Sequence, residues 1–324
     1  MGAKPVVLLQ HGILDSAATW IYNSPDKAPA FLLAEAGYDV WLGNSRGNYY
    51  SRHHVSLDPD KDKAFWDFSW YEMGKYDLPA VITKILEVTG ASKLSYIGHS
   101  QGTTQMFSAL AENEAWYLDR VNVFIGLGPV TNLQYSKSQL LNFLAKAHGV
   151  ELLKVLGVNE LFPRGYLTNA FYSEVCAVIP TICSFGVWII ADEDTSMDNT
   201  ERLDVMLAHF PSGASLKCFD HYSQSIQTKT FRYYDYGKDG NQEHYHQDTP
   251  PDIPLDNIKT MPVALFVGTA DELATTKDSK WTISKLGESV EEDEDLNKVG
   301  HMTFLLAKDM SYFNDVMAEL EKHQ

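Results

Sequence analysis

Short uninterrupted apolar runs alternate along the chain with segments of helical periodicity. The runs are Pro5-Val6-Val7-Leu8-Leu9-Gln10, Tyr38-Asp39-Val40-Trp41-Leu42, Leu94-Ser95-Tyr96-Ile97, Val121 to Leu127 and Met261 to Gly268. Continuous rather than alternating apolarity predicts strands buried on both faces, as in a parallel sheet. Between them, Ala28 to Ala36 reads as a helix closed by Gly37. Asp77-Leu78-Pro79 opens another that ends at Gly90, with Asp77 as its cap and Pro79 in its first turn. The strand, helix, strand order predicts an α/β fold, a mostly parallel sheet with helices on both faces.

After Pro129 this rhythm stops. From about Thr131 to Asn257 the chain turns helical and rich in aromatic residues, through Leu140 to Leu144, Leu152 to Leu156 and Phe171-Tyr172. Regular order resumes at Met261. The expected organisation is a core made of residues 1–130 and 257–324, carrying residues 131–256 as a mainly helical cap over the C-terminal edge of the sheet, where α/β enzymes bind ligands. The most membrane-like stretch, Val175 to Ala191, has 17 residues and is interrupted by Pro180, Thr181, Ser184 and Gly186. It falls short of the roughly 20 clean apolar residues of a spanning helix, so it reads as buried or as lining a hydrophobic site, and no transmembrane segment is expected.

Composition narrows the function classes. With 44% hydrophobic and 21% charged residues, the 324-residue chain can bury a large core. A formal charge of −17 argues against nucleic-acid binding. Part of the acidic excess is Glu291-Glu292-Asp293-Glu294-Asp295, which reads as a solvated loop rather than a calcium site. The three cysteines, Cys176, Cys183 and Cys218, show no zinc spacing. Cys176 and Cys183 read equally well as a bridge in an oxidising compartment or as two small buried hydrophobes. Met1-Gly2-Ala3-Lys4-Pro5 leads directly into a strand with no signal peptide, and no N-x-S/T sequon occurs.

The candidate chemistry lies at strand ends. Gly98-His99-Ser100-Gln101-Gly102 follows an apolar strand and precedes a helix-compatible segment, the strand, sharp turn and helix context of a nucleophile elbow. Ser100 is the candidate nucleophile, set at a helix N-terminus whose N–H groups favour developing negative charge. His11-Gly12-Ile13-Leu14 ends the first strand, where hydrolases of this pattern build an oxyanion hole, so the backbone N–H groups of Ile13 and Gln101 are the candidate oxyanion donors. The chain order Ser, Asp, His selects Asp271, just past a late strand, and His301, in a loop near the end. Of the 11 histidines, His99 lies inside the elbow, His11 precedes the oxyanion turn, His221 falls upstream of the acid and His323 is at the terminus. Glu272 and Asp278 are the rivals for the acid.

With these residues assigned, the chain resembles the acid lipase family, the gastric and lysosomal acid lipases of the α/β-hydrolase fold. The matching stretches are His11 to Leu14 with Trp20, Ala34 to Asn48, Glu72 to Ala80, Gly98 to Thr104, Glu174-Val175-Cys176, Arg202 to Val205 and Tyr234 to Gly237. The resemblance implies hydrolysis of triacylglycerols or cholesteryl esters at a lipid–water interface, no cofactor, a monomer, and a cap of which part moves as a lid. It also implies a secreted or lysosomal location and pairing of Cys176 with Cys183, at a shorter spacing than is usual in the family. Family members carry a signal peptide and further strands ahead of the first strand here, so the chain reads as shortened at its N-terminus. The rival expectations are a short-chain esterase or acyltransferase using the same triad, and a non-catalytic lipid-binding protein.

Overall fold

The computed structural model describes residues 4–146, 149–165, 192, 194 and 196–324. Six of its strands, Val6–Gln10 (β1), Asp39–Leu42 (β2), Leu94–His99 (β3), Val121–Leu127 (β4), Val263–Gly268 (β7) and Val290–Leu296 (β8), form one sheet. Glu160–Leu161 (β5) and Ala214–Ser215 (β6) make a separate antiparallel pair. The order in the large sheet is β2-β1-β3-β4-β7-β8, and every neighbouring pair is parallel.

The continuous apolarity of the strands follows from this layering. Successive side chains leave opposite faces of a strand, and both faces are covered. Leu8, Tyr96, Phe124 and Leu265 enter one core with Ile82, Phe107 and Leu110. Their neighbours Leu9, Ile97, Ile125 and Phe266 enter a second core with Leu33, Phe304 and Phe313. The register places Leu8 beside Tyr96 and Leu9 beside Ile97, which keeps each set on its own face.

Two expectations are corrected. The acidic run 291–295 is not a loop but lies within β8, the edge strand, paired with β7 from Val263 to Gly268. Its side chains are mostly exposed at the end of the sheet, so hydrogen bonding to β7 holds a strand where apolar periodicity is absent. Asp77 does not cap a helix. The helix starts earlier, at the Ser69 capping box with Glu72, and passes through a π turn at Met73–Asp77 into Leu78–Thr89. The Asp77 carboxylate instead receives the Arg46 guanidinium, with Nε at 2.8 Å from Oδ1.

Between β4 and β7 the described elements are mainly short helices, Gln139–Lys146, Gly149–Val155, Leu203–His209, Leu216–Thr228 and Gly237–Tyr245. Leu216–Thr228 is tied to the core by His221, whose ring stacks on Trp70 at 4.0 Å and whose Nδ1 lies 3.0 Å from Ser69 Oγ. Cys218 on the same helix is buried and free. The run Val175 to Ala191, with Cys176 and Cys183, lies outside the described residues.

Candidate active site

The elbow is built by close packing between β3 and the helix Gln101–Leu118. Ser100 stands between them at φ 55° and ψ −120°, a backbone conformation costly for a side-chain-bearing residue and typical of a nucleophile turn. Gly102 is required beside it. A Cβ there would sit 2.3 Å from the carbonyl oxygen of Gln10 on β1. The turn is fixed by the Ser100 N–H donating to Leu127 O at 3.1 Å, and by the Ser100 carbonyl accepting from Thr103 N at 2.8 Å and Thr103 Oγ1 at 2.6 Å. Gln101 begins the helix, where the first N–H groups have no partner within it.

Asp271 follows β7 and His301 follows β8. His301 Nδ1 lies 2.7 Å from Asp271 Oδ2, while Asp271 Oδ1 accepts the N–H groups of Leu273 at 2.9 Å and Ala274 at 2.7 Å. A carboxylate occupied in this way fixes the tautomer, with the proton on Nδ1 and the lone pair on Nε2. That Nε2 is buried without a hydrogen-bond partner among the described residues. The rival acids are engaged elsewhere. Asp278 accepts from Thr275 Oγ1 at 2.9 Å, and Glu272 faces Lys137 at 3.4 Å.

Ser100, His301 and Ile13 line one cavity with Gly12, Leu14, Asp15, His99, Leu141, Phe210, Phe219, Leu273 and Met302. Its volume is about 40 Å³. A larger cavity of about 580 Å³ opens elsewhere, beside Trp66, Lys217 and Tyr234, and touches none of these polar groups. Volume and chemistry therefore point to different places, and the chemistry defines the site.

The loop that presents Ile13 is set by His11. Its Nε2 accepts from Ser45 N at 3.1 Å and lies 3.1 Å from Asn48 Nδ2, which leaves the proton on Nδ1 to donate to Gly12 O at 2.7 Å. Burial lowers this imidazole to about 4, so it stays neutral in its bonded form. Leu14 then adopts φ 62°, and its carbonyl accepts from Ser212 N at 2.6 Å.

A match to the α/β-hydrolase fold family covers residues 5–308. Human gastric triacylglycerol lipase is 38% identical across 99% of this chain and 81% of its own length. Lipase lipl-1 of Caenorhabditis elegans is 38% identical across 94% of this chain and 76% of its own. The chain belongs to the gastric lipase family of α/β-hydrolases. Monoglyceride lipase of Saccharomyces cerevisiae, at 16% identity, shares the fold with a TM-score of 0.57 over 99% of this chain and 87% of that one. As a family member, the protein is a serine ester hydrolase of the lipase type.

Several residues of this lipase's site had little or no signal in the sequence. His99 reads from the pentapeptide as a residue aimed away from Ser100, yet it lines the same cavity. Its ring lies 4.8 Å from that of His301, and its Nε2 is 2.8 Å from the His301 carbonyl oxygen. Burial, and then the neighbouring His301, hold His99 well below the usual histidine range, so it is neutral and donates to that carbonyl. His11 had a faint local signal in the His-Gly pair closing a strand. Leu141, Phe210 and Phe219 had none, because only the folding of the segment between β4 and β7 brings them to Ser100.

Proposed function

We propose that this lipase hydrolyses triacylglycerols or cholesteryl esters through an acyl-enzyme on Ser100. His301 Nε2 takes the proton of Ser100 Oγ as the oxygen attacks the ester carbonyl, and Asp271 holds the imidazolium. The N–H groups of Ile13 and Gln101 receive the oxyanion. As the tetrahedral intermediate collapses, the C–O bond breaks and the leaving alcohol takes the proton from Nε2. Water, deprotonated by the same nitrogen, then releases the fatty acid and restores Ser100. The observation carrying this reading is the Asp271 to His301 hydrogen bond of 2.7 Å, with an Nε2 that has no partner among the described residues, in a cavity that Ser100 also lines.

Residues 131–256 act in this proposal as the cap, and the protein works as a monomer at a lipid–water interface. Leu152, Val155, Leu156 and Phe162 expose apolar side chains on this segment, which suits contact with a lipid surface. No described helix is long and apolar enough to cross a membrane. A secreted or lysosomal location accompanies the kinship with the gastric lipases.

The volume of about 40 Å³ beside Ser100 favours a second reading, a short-chain esterase, since ligand pockets are usually roughly 300–1,000 Å³. The deciding experiment compares wild type and Ser100→Ala on triolein, cholesteryl oleate and a short-chain ester, below and above the solubility limit. The lipase reading expects a jump in rate when an emulsion forms. It also expects Ser100→Ala to lose activity by on the order of 10⁴-fold or more, together with labelling by a serine-directed phosphonate. A rate that falls steadily with acyl length and shows no jump selects the esterase. An active Ser100→Ala removes both.

A further inference from the structure

The geometry points to Asp192, a residue of the cap segment, as a positioning residue for the catalytic base. This inference rests on the proposed role of His301. The Asp192 side chain is fully buried, and its Oδ1 accepts the backbone N–H of His301. Oδ2 accepts the N–H of Met302 at 3.1 Å. Its backbone also forms an antiparallel bridge with Asp271, so one residue touches both the base and the acid that orients it.

The base is thereby held at three points. Asp271 fixes the imidazole, His99 donates to the His301 carbonyl at 2.8 Å, and Asp192 accepts its amide proton. The first two anchors belong to the sheet framework, and the third arrives from 109 positions upstream. The loop is shaped to admit it. A Cβ on Gly300 would lie 2.5 Å from Asp192 Cγ, so only glycine leaves room for the carboxylate at that position. Neighbouring contacts continue the seam. Asp198 accepts from Thr303 Oγ1 at 2.6 Å, Asn199 N donates to Leu306 O at 2.6 Å, and Lys308 N donates to Met197 O at 2.8 Å. The base loop is therefore assembled in part by the cap, and the cap contributes to catalysis as well as to substrate access.

The consequence is kinetic. A catalytic group misplaced by about 1 Å can cost on the order of 10²-fold in rate while substrate binding is unchanged. The test measures kcat per active site, with sites counted by end-point titration with a phosphonate that labels Ser100. Asp192→Ala removes both acceptors and is expected to lower kcat per titrated site by about 10–100-fold, with KM within about twofold. Asp192→Asn keeps one acceptor and should fall between Ala and wild type. Gly300→Ala attacks the same contact from the loop side and should lower kcat per site in the same way.

A merely structural role would instead reduce the number of titratable sites and leave turnover per site intact. That result overturns the inference, as does turnover per site within twofold of wild type in both Asp192 variants. If neither Asp192 variant unfolds cooperatively on heating, the contact serves folding alone, and the inference is likewise overturned. Ser100→Ala separates the two proposals. If it retains activity, the catalytic assignment fails; if it is inactive while Asp192→Ala turns over normally, only the role of Asp192 fails.

Discussion

At the scale of single residues, the proposed chemistry depends on one tautomer. Asp271 accepts from His301 Nδ1 and from two backbone amides, so its carboxylate has no donor of its own to offer. Asp271→Asn would turn an N–H toward Nδ1 and drive the imidazole proton to Nε2, where it blocks the transfer from Ser100. The expected result is a fall in kcat of about 10³–10⁴-fold with the fold retained, measured as ester hydrolysis beside a thermal melt. Ser100 and Asp271 were legible because each follows an apolar strand, and His301 because the chain order Ser, Asp, His selects a histidine after the acid and ahead of the terminus. Asp192 and His99 were not. Their partners are backbone groups of His301, and no periodicity or spacing records a contact made across more than a hundred positions.

At the scale of elements, the helix Leu216–Thr228 is joined to Ser69 and Trp70 through an imidazole. His221 stacks on Trp70 and bonds at both nitrogens, to Ser69 Oγ at 3.0 Å and to Arg232 O at 2.9 Å. Its ring is wholly buried, and burial lowers it to about 3. His221→Ala leaves a cavity and an acceptor without its donor, so it should destabilise the protein by about 2–5 kcal/mol, read from urea unfolding. The parallel strands were readable from their unbroken apolarity, because both of their faces are covered. Two elements escaped for physical reasons. β8 is held by its ladder to β7 and needs no apolar side chains along most of its length. The π turn at Met73–Asp77 follows from tertiary packing. It brings Met73 Sδ to 3.3 Å from Gln105 Nε2, a contact the linear pattern does not encode.

At the scale of the molecule, buried groups of both kinds set its response to acid. Burial keeps His11 and His221 at about 4 and about 3, below the 6.5 of an exposed imidazole. The unfolded chain therefore binds more protons on them as pH falls below about 6.5, and they cost stability. Asp15, Asp198 and Asp278 are pushed up to about 6 by burial, from 3.8. The native state binds more protons on these carboxyls between about 6 and 3.8, so they add stability as pH falls. The two sets oppose each other in the window from pH 6 to 4. Melting temperature is expected to change little across it, and to drop below about pH 4, where His221 still resists protonation and the aspartates contribute nothing further. Thermal scans at half-unit pH intervals would reveal this plateau, and a steady decline from pH 6 would contradict it.

The acidic stretch of β8 has a bearing on solubility as well. Among the described residues β8 is the last strand of its sheet and its outer edge is unpaired, the kind of surface on which a second chain could extend the ladder. Lys322 pairs with Glu291 and Lys280 with Asp295, while Glu292, Asp293 and Glu294 lie between them. Two copies meeting edge to edge would bring like charges together along that row, and the repulsion guards against fibrous self-association. Neutralising the three central carboxylates as amides should leave the sheet intact and raise light scattering in concentrated solution at neutral pH.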